Sequence, residues 1–205
     1  MRIANKTKWT VHGQIHARLE TALPPSLYRD IGRITFKFSA LEYQLNQLVY
    51  ALAGVDREIG RLAIRSPRAE ELIELINDLV DARGMNVGRI DSQLKTEVGD
   101  AQANRDLLAH GVWVKSAETG ELRIVTMRGK FPVPGAVRGR SRSHNPVTVD
   151  FNSSHAAAIT ASIEQSTQKI DLYFRSVLSE LGASPETLRK PLDPKDRKDG
   201  RKSKT

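Results

Sequence analysis

Between residues 27 and 52 the apolar side chains Leu27, Ile31, Ile34, Phe38, Leu41, Leu45, Leu48 and Leu52 advance by alternating steps of four and three. That spacing returns to one side of an α-helix at every turn. In a strand the same residues would switch faces repeatedly. The stretch is therefore read as one long helix whose stripe packs against other helices, in its own chain, in a second subunit, or in both. Pro24-Pro25-Ser26 precedes the stripe, and Gly54 supplies the stop. Glu42 lies beside it and is read as a solvated flank.

Three further helices follow from pattern and capping chemistry. A short one is expected from Asp56 to about Ile64. Another opens on Ser66-Pro67, with serine as N-cap, proline at the first helical position, and Glu70 and Glu71 in the first turn. Its apolar face is Leu72, Ile73, Ile76, Leu79 and Val80, and Gly84 closes it. The next runs from about Asp91 to His110 with Leu94, Val98, Ala101 and Leu108 on one face. Arg105 falls into that same register, so it snorkels or points into a polar site. Gly111 suits the left-handed position that ends a helix.

After Gly111 the pattern changes. Val112–Lys115 and Leu122–Thr126 read as strands joined by a turn at Ala117-Glu118-Thr119-Gly120. Phe131 to Asn145 holds two prolines, two glycines and a run of Arg and Ser, and is read as an exposed loop. A short strand at Val147–Val149 follows. Ser153 or Ser154 then caps a last long helix, with Ile159, Ile163, Ile170, Phe174, Val177 and Leu181 as its buried stripe and Gly182 as its stop. The expected fold class is all-α, an antiparallel four- to five-helix bundle with a small β-hairpin insertion before the last helix. Three regions are expected: an N-terminal arm (1–23), the bundle (24–183, with hairpin and basic loop at 112–150) and a basic disordered tail (184–205). Within the arm, Val11, Ile15 and Leu19 share helical spacing, although Gly13 interrupts it. His12 and His16 stand four apart, but no third ligand and no HExxH glutamate accompany them, so they are read as surface histidines.

Composition narrows the function classes. The 205 residues contain no cysteine, which excludes disulfides and thiolate metal sites. The first residues show no apolar secretory core, and no apolar run reaches membrane-spanning length, so a cytoplasmic protein without membrane contact is expected. The formal net charge is +8. From Arg189 to Lys204 there are eight Lys/Arg against three Asp, and from Arg128 to Arg142 five Lys/Arg and no acid. Segments of this kind attract phosphate backbones without sequence specificity; they also serve simply as solubilising tails.

The chemistry-bearing stretch is Asn104-Arg105-Asp106-Leu107-Leu108-Ala109-His110-Gly111. Asp106 and His110 are four apart, share a helix face and can hydrogen-bond. Such a bond would orient the imidazole, and the carboxylate and the helix C-terminus both favour its protonated form. Arg105 and His110 are five apart, about 140° around the helix. They converge on one phosphate only if Arg105 curls inward or if a second copy of the helix lies opposite. Two arginines and two histidines across such a seam suit phosphodiester cleavage. Histidine moves a proton and arginine stabilises the phosphate charge, with neither metal nor cofactor required.

The stretch resembles the signature of the HEPN family (higher eukaryotes and prokaryotes nucleotide-binding domains). There an arginine, commonly followed by Asn, Asp or His, is separated by a few residues from a histidine near the end of a helix in a bundle. Arg105 to His110 matches the form with four intervening residues. The resemblance implies a metal-independent endoribonuclease whose active site is composed from both protomers of a homodimer. It implies a 2′,3′-cyclic phosphate product and a role in toxin–antitoxin or other defence systems, with an antitoxin or regulatory protein as partner. It assigns catalysis to Arg105, His110 and Asp106; Asn104 is read as contacting RNA or as helping to end the helix, and Arg138, Arg140 and Arg142, by their charge, as tracking an RNA backbone or as part of a mobile surface loop. Val112 stands where toxins paired with a nucleotidyltransferase carry tyrosine, which disfavours that subgroup. Trp113 is read as a core strand residue or a base-stacking one. The alternative reading is a non-catalytic RNA- or protein-binding module on the same helical scaffold, with Arg105 and His110 merely capping a helix.

Overall fold

A computed structural model of the chain describes residues 8–11, 15–19, 23–64, 67–116, 120–126 and 147–183. The loop arginines 138, 140 and 142, His12, Ser66 and the basic tail lie outside the described residues. The fold is mainly helical, with an antiparallel sheet. Among the described residues no helix is long and apolar enough to cross a membrane.

The heptad stripe forms α1, Pro25–Ala53. Leu27, Ile34, Phe38, Leu41, Leu45, Leu48 and Leu52 are buried at 7% exposure or less. Ile31 is only half-buried. Each fully buried member stabilises the fold by roughly 1.5–3 kcal/mol. Gly54 ends the helix at φ +67°, where the Val55 amide donates back to the Tyr50 carbonyl at 3.1 Å. The same left-handed closure recurs at Gly84 and Gly182.

The shorter helix α2, Arg57–Ala63, is capped by Asp56, whose carboxylate accepts from the Ile59 amide at 2.8 Å. Helix α3, Ala69–Ala82, starts later than its sequence suggests. The Pro67 ring lies before it, Arg68 is the N-cap, and Glu71 accepts from the Arg68 amide at 2.9 Å. Helix α4, Ser92–His110, begins on Asp91, which caps the Leu94 amide at 2.7 Å. Helix α5, Ser153–Glu180, is capped by Asn152 rather than by the serines. The Asn152 Oδ1 accepts from the His155 amide at 3.1 Å and from the Ser154 hydroxyl at 2.6 Å. Along α5, Ile159, Ile163, Ile170 and Val177 are buried and Phe174 is half-buried, as is Leu181 just past its end.

Among the described residues the sheet has five antiparallel strands, neighbours in chain order: β1 Lys8–Val11, β2 Ile15–Leu19, β3 Val112–Ser116, β4 Leu122–Thr126 and β5 Val147–Asp150. The expected hairpin is β3–β4, in the register Val112↔Val125 to Lys115↔Leu122. The N-terminal segment corrects the helical reading of Val11, Ile15 and Leu19. It folds back as β1–β2, and β2 pairs with β3 through Ala17↔Ser116, Arg18↔Lys115 and Leu19↔Val114. Val11 and Ile15 are partners across the β1–β2 pair, and Ile15 and Leu19 lie four apart within β2, a spacing that keeps one face in a strand as in a helix, so it did not discriminate. Gly13, which interrupts the pattern, was the better signal.

The chain divides into two compact units, and α1, α4 and α5 each contribute one segment to either. In the first (Met1–Ala40 with Glu97–Gln165), Lys37 on α1 pairs with Glu164 on α5 at 3.2 Å. Trp113 on β3 meets Phe151 edge-on, with ring centroids 5.7 Å apart. In the second (Leu41–Thr96 with Ser166–Thr205), buried Asn77 on α3 accepts from the Ile90 amide at 2.7 Å and donates to the Ile90 carbonyl at 3.2 Å. The Glu180 carboxylate on α5 accepts from the amides of Asn86 and Val87 at 2.6 and 3.1 Å, and the Tyr173 hydroxyl donates to the Gly88 carbonyl at 2.7 Å. These contacts fix the α3–α4 connection onto the C-terminal half of α5. Burial raises the Tyr173 pKa first, and the charges of Asp81 and Glu180 push the same way.

Candidate functional site

The residues singled out in the sequence lie on the last two turns of α4, in the first unit. The preceding turns bury Leu94, Val98 and Ala101, and Leu107 and Leu108 continue that burial to the helix end. This anchoring sets the rotation of the helix, and so decides which way each polar residue faces.

Arg105 sits at the margin of the buried face, with its side chain 23% exposed. Its guanidinium lies over the ring of Phe38 on α1, 5.0 Å from the centroid. The quadrupole of a buried ring attracts a cation held over its face. Arg105 Nη1 is also 2.7 Å from the carboxylate of Asp106, whose side chain is 43% exposed. The cation is thus held from two sides. Phe38 belongs to the heptad stripe, but nothing in the sequence links it to Arg105; only the approach of α1 to α4 brings them together.

His110 is the last residue of α4 and is exposed. The expected Asp106–His110 hydrogen bond is not formed: the carboxylate takes its neighbour Arg105 instead. A fixed guanidinium beside it is the stronger partner. Asn104 is buried at 7% exposure, and its Oδ1 has no hydrogen-bond partner among the described residues. The structure therefore brings Arg105 and Asp106 together, sets Asn104 beneath the surface, and leaves His110 at the helix end without a partner among the described residues.

Gly111 differs from its expected role. It is absent from the glycines with positive φ, and its amide still donates to the Leu107 carbonyl at 2.7 Å. What requires glycine is space. A Cβ there would lie 2.2 Å from Ile124 Cγ2 on β4 and 2.5 Å from the Leu107 carbonyl oxygen. Gly111 is where α4 passes into the sheet, immediately after His110. Trp113 is 8% exposed against Phe151, which makes it a core residue. Among the described residues no group of three or more His, Cys, Asp or Glu is placed to hold a metal ion.

Comparison of the chain with protein-family models, with curated proteins and with solved structures returns no match.

Proposed function

We propose that the protein is an endoribonuclease of the HEPN type, an antiparallel helical bundle that acts as a homodimer with Arg105 and His110 as its principal catalytic groups. The observation that carries this reading is the placement of Arg105. It is a half-buried guanidinium held over Phe38 and beside Asp106, five residues before an exposed histidine that ends the helix. A cation fixed in this way is suited to a phosphate that gains charge in the transition state.

In the proposed reaction the ribose 2′-oxygen bonds to phosphorus and the bond from phosphorus to the 5′-oxygen breaks, leaving a 2′,3′-cyclic phosphate. The 2′ proton passes to one imidazole, and a proton from another reaches the departing oxygen. Because Arg105 and His110 stand about 140° apart on one helix, a second protomer facing the first supplies the missing geometry and the second histidine. Asp106 then acts through Arg105, holding its guanidinium in place. The loop residues Arg138, Arg140 and Arg142 are assigned to RNA contact, whereas Asn104, buried beneath the surface, is left to support the helix end; a toxin or defence role with a protein antitoxin follows from the resemblance.

The test is RNA cleavage by purified protein in the presence of chelator. His110→Ala is expected to slow cleavage by roughly 10²–10⁴-fold and Arg105→Ala by roughly 10²–10³-fold, with helix content unchanged. Cleavage that persists in both variants sinks the assignment. The second reading, a non-catalytic RNA- or protein-binding module, draws on the engagement of Asp106 by Arg105, which leaves His110 without an orienting carboxylate. It is favoured if RNA binding survives His110→Ala and no cleavage occurs.

A further inference from the structure

The N-terminal half of α1 carries a second surface, on the side of the helix away from Phe38. Tyr28 is 54% exposed and Phe36 72% exposed, the latter an unusual position for a phenylalanine ring. At 100° per residue, Tyr28, Gly32, Phe36, Arg29 and Arg33 follow one another within about 140° of arc. Both arginines are exposed, and neither forms a salt bridge with any described residue. Lys37, next around the helix, is taken by Glu164. The only acid between Pro25 and Ala40 is Asp30, which lies beyond this arc. At Gly32 there is nothing within 4 Å of where a Cβ would sit, so the surface is notched between the two rings.

We propose that this face binds single-stranded nucleic acid, with Tyr28 and Phe36 stacking bases and Arg29 and Arg33 pairing with the phosphates beside them. The proposal rests on the ribonuclease reading only for the identity of the strand as RNA. Aromatic rings interleaved with unpaired cations are the chemistry that recognises a flexible strand: every base has a face to stack, and the backbone supplies the charge. The backbone positions that carry the two rings are about 12 Å apart along the helix axis, and those that carry the two arginines about 6 Å. That leaves room for a further base over the Gly32 notch. A duplex hides its base faces and offers only phosphates. A second copy of the chain is the poorer occupant. Antiparallel two-fold pairing sets like flanks together, so Arg29 and Arg33 would meet their own copies with no acid to answer them.

The experiment titrates the intact protein with a short fluorescein-labelled oligodeoxynucleotide, single-stranded and as its duplex. The probe has no 2′-hydroxyl and cannot be cleaved by the proposed chemistry. The single strand is expected to bind in preference to the duplex. Phe36→Ala should weaken it by roughly 5- to 150-fold with unchanged helix content, whereas Phe36→Tyr should retain binding. The double substitution Arg29→Gln with Arg33→Gln should lower the slope of log affinity against log salt by roughly 1.4. Unchanged affinity in Phe36→Ala overturns the proposal. Equal binding of strand and duplex reduces the face to general electrostatic attraction and overturns it too. Loss of self-association in Phe36→Ala, seen by sedimentation while strand binding is untouched, assigns the face to a second copy instead. Strand binding without RNA cleavage leaves this inference standing and removes the ribonuclease reading; cleavage with an indifferent α1 face does the reverse.

Discussion

Replacing Gly111 by alanine adds one methyl group at the junction of α4 and the sheet. Its ideal position is 2.2 Å from Ile124 Cγ2 and 2.5 Å from the Leu107 carbonyl oxygen. Carbon–carbon contacts are comfortable at about 3.5–4.0 Å, so more than an ångström must be found. Ile124 is fully buried and paired in the sheet, and the other obstacle is backbone, so neither yields cheaply. Overpacking of this kind costs about 1–3 kcal/mol. If the last turn opens instead, the Gly111–Leu107 hydrogen bond is lost, about 0.5–1.5 kcal/mol. A less flexible unfolded chain returns about 0.4–1 kcal/mol. The net expectation is a loss of about 1–1.5 kcal/mol, and a Tm about 2–6 °C lower for a chain of this size. The matched control is Gly32→Ala, in a helix interior with open space around it. It should stabilise by about 0.8–1 kcal/mol and raise Tm by about 2–4 °C. Thermal melts followed by circular dichroism measure both. Shifts of the same sign in the two variants, or a Gly111→Ala melt within about 1 °C of the parent, would refute the argument that Gly111 is required by steric approach.

Two further outcomes concern the second unit. Asn77→Leu leaves both the amide and the carbonyl of Ile90 buried without partners, and urea unfolding should show a loss of roughly 2–4 kcal/mol. Tyr173 has its pKa raised in the folded protein, by burial first and then by Asp81 and Glu180, so the folded state holds the phenolic proton more tightly than the unfolded state does. Its contribution is complete below about pH 10 and is lost as pH rises through the higher folded value. Urea midpoints of the parent should therefore decline at alkaline pH more steeply than those of Tyr173→Phe, and parallel curves would contradict this.

The chain shows how far residue patterning reaches. The alternating steps from Leu27 to Leu52 determined α1, because only a helix returns those positions to one side, and the structure buries all of them but Ile31. The ends at Gly54, Gly84 and Gly182 were legible for a local reason: a left-handed residue there strongly favours glycine. The β3–β4 hairpin was legible from two short runs rich in β-branched residues with a turn sequence between them. β1 and β2 were not, because spacings of four are shared by strands and helices, and because β2 finds its partner nearly a hundred residues away in β3.

The site divides in the same way. The sequence alone placed Asn104, Arg105, Asp106 and His110 at the end of one helix, since their spacing is local. Tertiary structure decided which of them interact. The approach of α1 laid Phe38 beneath Arg105, and the held guanidinium drew Asp106 away from His110. It also decided why residue 111 is glycine: a strand side chain from β4 occupies the space a methyl group would need. Exposure is likewise a tertiary property. Phe36 and Phe38 are near neighbours of one residue type on one helix, and only the packing around α1 makes one of them core and leaves the other facing solvent.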